Sequence, residues 1–409
     1  MIGTSPAIHA LGGGSLRLVG AGALLGSISF NRASSGWSIG ANGATWMASA
    51  PDAPRFNGVA RRLLVEGQRT NGLTNPRLEF TGGPSFPTTI RPRNWVYSSS
   101  TFSLIEYTPA TENGLPCVDI RLVATAASSV LIYTGSHNEV PTAINTAWTG
   151  SVCSRLVSGD ATGLTNCYNR VLFRQADLSA ATAGAVDTPL SLTASLTRTI
   201  VTNNSGADGV YAQQAIRFGC TGAGEWIIRV GGMQIEQGAM ASSLILSSPG
   251  VAAAVTRAAD VPTLVLTAMQ AQRGTLVGTF MFSTSDAVTQ GLFTLHDGTS
   301  NNRLGLRGSA AGLGLVRAVG GSSSFSGFSA ALSAGVPFKA ALSWDAGGFS
   351  AAINGTAVPA IAGATPVVNS LTLGHGLAPT GFTLFGEIGP LDLHPTRLPD
   401  ATLQALTAA

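Results

Sequence analysis

The stretch EWIIRVGGMQIE at residues 225–236 alternates with a period of two. Trp226, Ile228 and Val230 fall on one face of an extended chain, with Ile227 and Arg229 on the other. The same kind of run recurs along the sequence. SLIEY (103–107), CVDIRLV (117–123), SVLIY (129–133), LSLTASLTRTI (190–200) and YAQQAIRF (211–218) precede it. A second series starts at 261, with TLVGTFMFST, GLFTLHD, NRLGLRG, LGLVRAV, FKAALSWDAGG, FSAAINGTAV, NSLTLGHG and LFGEIGPLDLH. Gly, Asn or Asp separates most of these runs, and none continues into helical periodicity. Many short strands with turn signals between them define an all-β chain of two sandwich or jelly-roll domains, whose alternating faces are buried between two layers.

The rest of the chain divides around these series. Its 409 residues suit two or three domains. Residues 1–30 are a Gly-rich apolar arm, expected to lie against another subunit or a larger assembly. Residues 31–80 are a turn-rich collar of short strands, punctuated by Asn-Gly and Asn-Pro. Residues 81–250 hold the first sandwich and 251–409 the second. Asn354-Gly355 signals a hairpin between FSAAI and TAVPAI. The one convincing helix is terminal, LPDATLQALTAA, with Leu403 and Leu406 three apart.

Composition removes several function classes. Charged residues are 11%, against about 25% in an ordinary soluble domain. The net charge of +3 supplies no concentrated basic face, so nucleic acid is not an expected partner. No run of 18 apolar residues occurs, so no membrane insertion is expected, and the N-terminus lacks the basic region of an export signal. The four cysteines form no CxxC pair, which leaves buried thiols or disulfides open.

Recognised catalytic signatures are missing. The five histidines show no metal-ligand spacing, and no nucleophile elbow or phosphate-binding loop is present, so no catalytic residue, metal or cofactor is expected. Glu66, Glu106, Asp119, Glu225, Glu236, Asp345 and Glu387 are the acids from which a glycan hydrolase would draw its pair of carboxylates. Carbohydrate binding would use an aromatic platform with planar hydrogen-bonding groups. Trp226 and Trp344 sit in apolar strands and read as core, whereas Trp37, Trp46 and Trp95 lie in turn-rich segments and are the ligand candidates. His296, Asp297, Asn301 and Asn302 in LHDGTSNNRL form a polar turn with the donors of a ligand or Ca²⁺ loop, and equally with ordinary hairpin chemistry.

The order of segments is more specific than any single residue. FNRASSGWSIGANG is followed by APRFNG and then by LLVEGQRTN. This order resembles the N-terminal region of phage and prophage virion fibre or spike proteins, with Phe30–Ser34, Pro54-Arg55-Phe56, Leu63–Gly67 and Arg69-Thr70-Asn71 carrying the likeness. GGMQIEQGAMASSLILSSPGVAAAVTRAADV at 231–261 is similar to the segment that closes the first sandwich in those proteins, and 261–409 resembles a concanavalin A-like (laminin G-like) sandwich. Gly72 departs from the family's apolar continuation and implies a bend. The resemblance implies a virion surface protein of the head or tail, a homo-oligomer such as a trimer. It would be held to other virion proteins by its N-terminal arm and bind a bacterial surface polysaccharide. A capsule depolymerase and a ligand-free structural spacer are the alternatives. Within LLVEGQRTN, Glu66 reads as a structural tie at a turn. Gly67 supplies the turn, Arg62 or Arg69 the partner charge, and Asn71 and Asn75 satisfy loop backbone groups.

Overall fold

The computed structural model describes residues 14–80, 91–97, 100–135, 140–284, 289–309, 312–328, 332–377 and 381–408. Nearly all regular structure is antiparallel β, arranged as two compact units. One is discontinuous, built from residues 1–68 and 258–409; the other is inserted between them and spans 69–257.

The discontinuous unit packs a nine-stranded sheet on a seven-stranded one. The strands of the apparent arm and collar belong to it. Leu16–Gly20 pairs with the penultimate element, Gly386–His394, and Ile28–Asn31 pairs with Val261–Val265. Arg62–Val65 also joins Gly386–His394. The expected order of arm, collar and two successive sandwiches therefore needs correction over residues 14–68, while residues 1–13 lie outside the described set. The physical reason is burial. Leu18, Val19, Phe30, Leu63 and Val65 have no core of their own and complete the one formed by Phe280, Phe293, Leu306 and Trp344. Arg17 fixes the first pairing by a bidentate contact with Asp392.

The terminal helix, Asp400–Thr407, lays Leu403 on Ala341 and Ala352 of the nine-stranded sheet; Leu406, expected to share that face, is 40% exposed. Asn354 and Gly355 adopt φ of 45° and 79°, the two left-handed positions that a two-residue hairpin turn requires.

The inserted unit packs a five-stranded sheet on a six-stranded one. In Gly224–Gln237 the predicted alternation holds: Trp226, Ile228 and Val230 are buried, and Ile227 and Arg229 are half-buried. The Trp226 ring needs glycine around it. A Cβ at Gly159, Gly163 or Gly224 would lie 2.6, 2.9 or 2.4 Å from the ring. Its indole N–H donates to the Asp160 carbonyl at 2.8 Å, so the buried polar atom is satisfied. All four cysteines are buried free thiols, and burial pushes Cys117 up to about 12 and Cys153 up to about 11. Among the described residues, no helix is long and apolar enough to cross a membrane.

Candidate functional site

The outward face of the six-stranded sheet in the inserted unit concentrates aromatic and cationic side chains. Strand register builds it. On Leu164–Arg174 the outward positions are Tyr168, Arg170, Leu172 and Arg174. On Tyr211–Cys220 they are Tyr211, Gln213, Ala215 and Arg217, and on Ser128–Tyr133 they include Leu131 and Tyr133. The paired strands therefore form rows about 5 Å apart in the pairing direction. One row runs Leu131, Arg217, Tyr168; the next runs Tyr133, Ala215, Arg170, Asp187. Three of the chain's five tyrosines stand on this one face.

Local contacts order the side chains. The Arg174 guanidinium lies 5.6 Å from the Tyr133 ring centroid and donates to the Gln213 Oε1 and the Tyr133 hydroxyl, each at 3.3 Å. Arg170 makes two 2.6 Å hydrogen bonds to Asp187, which raise its pKa further. The Tyr168 hydroxyl donates to Asn166 Oδ1 at 3.0 Å. Arg217 is half-buried and makes no ion pair with a described residue. Rings of this kind can cover the apolar face of a sugar, and guanidiniums can donate to its hydroxyls and ring oxygen. Ala215, fully buried between them, keeps the centre of the face low. The sequence signal was faint: Tyr168, Arg170, Arg217 and Tyr133 share a face only once the register of three strands is known.

The predicted ligand residues are placed elsewhere. Trp95 is 1% exposed, packed edge-on to Tyr107 at 5.8 Å in the core of the inserted unit, and cannot stack on a sugar. Trp37 is buried in the discontinuous unit, where its carbonyl accepts from Arg55 at 2.9 Å. Trp46 is half-buried on the hairpin formed by Gly36–Ile39 and Trp46–Ser49. His296 is buried; its Nδ1 accepts from Gly298 N at 3.0 Å and its Nε2 meets Thr372 Oγ1 at 2.8 Å, and burial lowers its pKa. Asp297 accepts from Thr299 N at 2.9 Å, from the Thr299 hydroxyl at 2.6 Å and from Asn302 at 2.7 Å. Those hydrogen bonds hold its carboxyl below the usual range. Asn302 Oδ1 accepts from Gly320 N at 3.0 Å, and Asn301 N donates to the Thr299 hydroxyl at 3.1 Å. The turn thus saturates itself, as hairpin chemistry does. No group of three or more His, Cys, Asp or Glu suited to a metal occurs among the described residues.

The seven candidate acids are each held by an arginine. Glu66 meets Arg55 at 2.9 Å, Glu106 and Glu225 meet Arg121 at 2.7 Å, and Asp119 meets Arg229 at 2.7 Å. Glu236 lies 3.8 Å from Arg69, Asp345 3.1 Å from Arg397 and Glu387 3.4 Å from Arg62. Glu66 is thus tied by Arg55, an arginine outside the expected choice of Arg62 or Arg69. Arg55 also binds Asp260 at 2.5 Å, and Arg32 binds Asp260 at 3.1 Å, giving a buried quartet of two cations and two anions. Asp260 also accepts from Glu66 N at 2.9 Å. Arg69 belongs to the inserted unit. Gly67 does not have the left-handed φ of a turn glycine; a Cβ there would lie 2.8 Å from the Phe385 ring. Asn71 does serve backbone groups, donating to Met233 O at 2.9 Å and Ile245 O at 3.0 Å, and Asn75 donates to Glu79 O at 2.9 Å. The strand Arg69–Asn71 ends at Gly72, whose Cβ would meet Val140 at 2.7 Å.

No protein-family model and no curated protein sequence matches the chain. Solved structures with some likeness include the CBM40 module of Ruminococcus gnavus IT-sialidase bound to α2,3-sialyllactose. It is 21% identical, with a TM-score of 0.31, over 34% of this chain and 85% of that one. The Trypanosoma rangeli sialidase with the inhibitor DANA is 10% identical, with a TM-score of 0.29, over 74% of this chain and 62% of that one. Domains LG4-5 of the mouse laminin α1 chain are 9% identical, with a TM-score of 0.26, over 67% and 89%. These similarities are loose, and the β-sandwich architecture rests on the strand pairing itself.

Proposed function

We propose that the chain is an adhesive β-sandwich protein that binds a bacterial surface polysaccharide through the tyrosine–arginine face of its inserted unit. The observation that carries this reading is the gathering of Tyr133, Tyr168, Tyr211, Arg170, Arg174 and Arg217 on one outward sheet face where, among the described residues, the one carboxylate is Asp187. The arginine-bound state of all seven candidate acids supports binding over depolymerisation. The segment order FNRAS, PRFNG, LLVEGQRTN motivates the further proposal that the protein is a fibre or spike on a phage-like particle. Repeated copies there would multiply a weak site through effective concentration.

A glycan array and a whole-cell assay test the binding. Wild-type protein is expected to bind at least one host-derived polysaccharide, and Tyr168→Ala to weaken that binding at least tenfold. Failure of an oligomeric preparation to bind any host glycan sinks the reading. Immunogold labelling of purified particles tests the virion proposal; unlabelled particles from a producing host would end it.

A further inference from the structure

We propose a second ligand site, in the discontinuous unit, where Arg303 and Arg307 receive the carboxylate of an acidic saccharide. It uses a different unit and different residues from the tyrosine–arginine face. The strand Arg303–Ser309 sends Leu304 and Leu306 into the core, so Arg303, Gly305 and Arg307 turn outward. The two arginines are four residues apart, about 13 Å along the strand. Between them the floor is low. Gly305 pairs with Val316, Arg307 with Gly314, and Val316 with Phe325 on the next strand.

Both guanidiniums are held in place, and neither meets an anion among the described residues. Arg303 is 7% exposed. It donates to the Ser300 carbonyl and to Ser323 Oγ at 3.1 Å, while its buried Nε has no partner. The Arg307 carbon lies 5.6 Å from the Phe325 ring centroid and 5.0 Å from that of Phe382. The Arg307 guanidinium makes no hydrogen bond or ion pair with a described residue. Burial lowers the pKa of both, and Arg307 lowers that of Arg303 further. The seven-stranded sheet thus holds two like charges whose unmet donors would be matched by an incoming anion.

The aromatic half of the site specifies what carries that anion. Phe325 is 52% exposed and Phe382 40%. Phe382 adopts φ of 48°, an uncommon left-handed conformation for a bulky side chain, and its carbonyl is fixed by Gly291 N at 2.6 Å. That strained backbone presents a phenyl ring to solvent beside a cation. A bare inorganic anion would leave both rings uncovered, and a neutral sugar would leave the guanidiniums unmatched. A sugar ring bearing a carboxylate satisfies both, since a guanidinium fork fits a carboxylate in two parallel hydrogen bonds.

Calorimetric titration of the full chain with glucuronate-, galacturonate- and N-acetylneuraminate-containing oligosaccharides, each beside its carboxyl-reduced counterpart, tests this. The expected result is binding of at least one acid that falls tenfold or more on carboxyl reduction and in Arg307→Gln. Arg307→Gln should leave neutral-glycan binding through the other face unchanged. Phe325→Ala, at an exposed position, should weaken the acid with an unaltered melting temperature, and decides the matter if Arg307→Gln does not fold. Equal binding of the reduced partner, undiminished acid binding by either folded variant, or inorganic phosphate binding as tightly as the best acid overturns the proposal. Neutral glycans bound without any acid would remove this site alone. An Arg307-dependent acid without any neutral glycan would remove the tyrosine–arginine site alone.

Discussion

The two outward faces of the inserted unit use the same cation for opposite ends. On the five-stranded sheet, Arg121, Arg155 and Arg229 each bind carboxylates: Arg121 takes Glu106 and Glu225, Arg229 takes Asp119 and Glu112, and Arg155 shares Glu112. Four acids meet these three arginines, while Arg198 on the same sheet donates to Ser242 O and Ser151 Oγ. On the six-stranded sheet, three arginines meet one acid among the described residues, Asp187, and their other neighbours include three tyrosines and a glutamine. A satisfied guanidinium holds strands together. One lodged among rings keeps donors available to something else. In a chain with only 11% charged residues, where arginine lacks a carboxylate is therefore more informative than where arginine occurs.

The sharpest way to break the comparison is to remove an arginine where pairing is most complete. Arg55 is fully buried against Glu66 and Asp260. Arg55→Met takes the Arg55 contact from Glu66 and one of the two arginines from Asp260, and is expected to cost about 3–5 kcal/mol. Urea unfolding measures it. A loss under 1 kcal/mol would mean that the quartet does not anchor residues 55–66 to the sandwich, and that paired and open arginines differ less than argued. Arg55→Met combined with Glu66→Leu should recover part of the loss, because one uncompensated charge is gone.

A smaller effect is expected on the five-stranded sheet. Glu112 accepts from Arg155 at 2.6 Å and from Arg229 at 2.8 Å. Glu112→Gln should cost about 1 kcal/mol, since the site is partly exposed and water screens the charges. Glycan binding should not change. If binding falls with stability intact, the ladder is not the passive face described.

Acid should act on the same face. Burial pushes the Glu112 carboxyl up, but hydrogen bonds from Arg155 and Arg229 outweigh it and hold it below its ordinary value. Hydrogen bonds from Arg121 do the same for Glu225. A carboxylate with a depressed folded pKa stabilises the fold above its unfolded pKa, about 4.3, and that contribution is lost as pH falls through the folded pKa. The urea midpoint should therefore drop between about pH 5 and pH 3, and Glu112→Gln should drop less steeply. Parallel slopes would show that Glu112 does not carry this linkage.

How much of this was legible beforehand depended on range. The period-two runs identified the strands, and Trp226 and Trp344 as core, because alternation is local to one strand. Asn354-Gly355 marked its hairpin for the same reason. The N-terminal strands were misassigned because Leu16–Gly20 meets its partner more than 360 residues away, at Leu391–Leu393, and no local pattern records that. Turn-rich neighbours suggest exposure for Trp95 and His296, yet both are buried by distant strands. The tyrosine–arginine face escaped notice for a related reason. Tyr133, Tyr168 and Arg217 are unremarkable alone and become a surface only through the register of three strands. The segment order includes both Arg55 and Glu66 but does not pair them, because the approach of Arg55 depends on the pairing of Arg55–Asn57 with Arg62–Val65.

The least effect on stability is expected where the comparison predicts the most on binding. Arg217 is half-buried, between Leu131 and Tyr168 in the rows of the six-stranded sheet. It has no ion pair to lose among the described residues. Arg217→Gln should leave the unfolding free energy within about 0.5 kcal/mol of wild type. The same change should weaken the best host polysaccharide at least tenfold, because it removes guanidinium donors beside the proposed sugar platform. Arg121→Gln on the opposite face provides the converse, since it strips two carboxylates of their partner and touches no open ring. It should lower stability and spare binding. If Arg217→Gln destabilises as much as Arg121→Gln while both bind normally, the open arginine has only a structural part. The asymmetry between the two faces would then be an accident of charge placement and not a recognition surface.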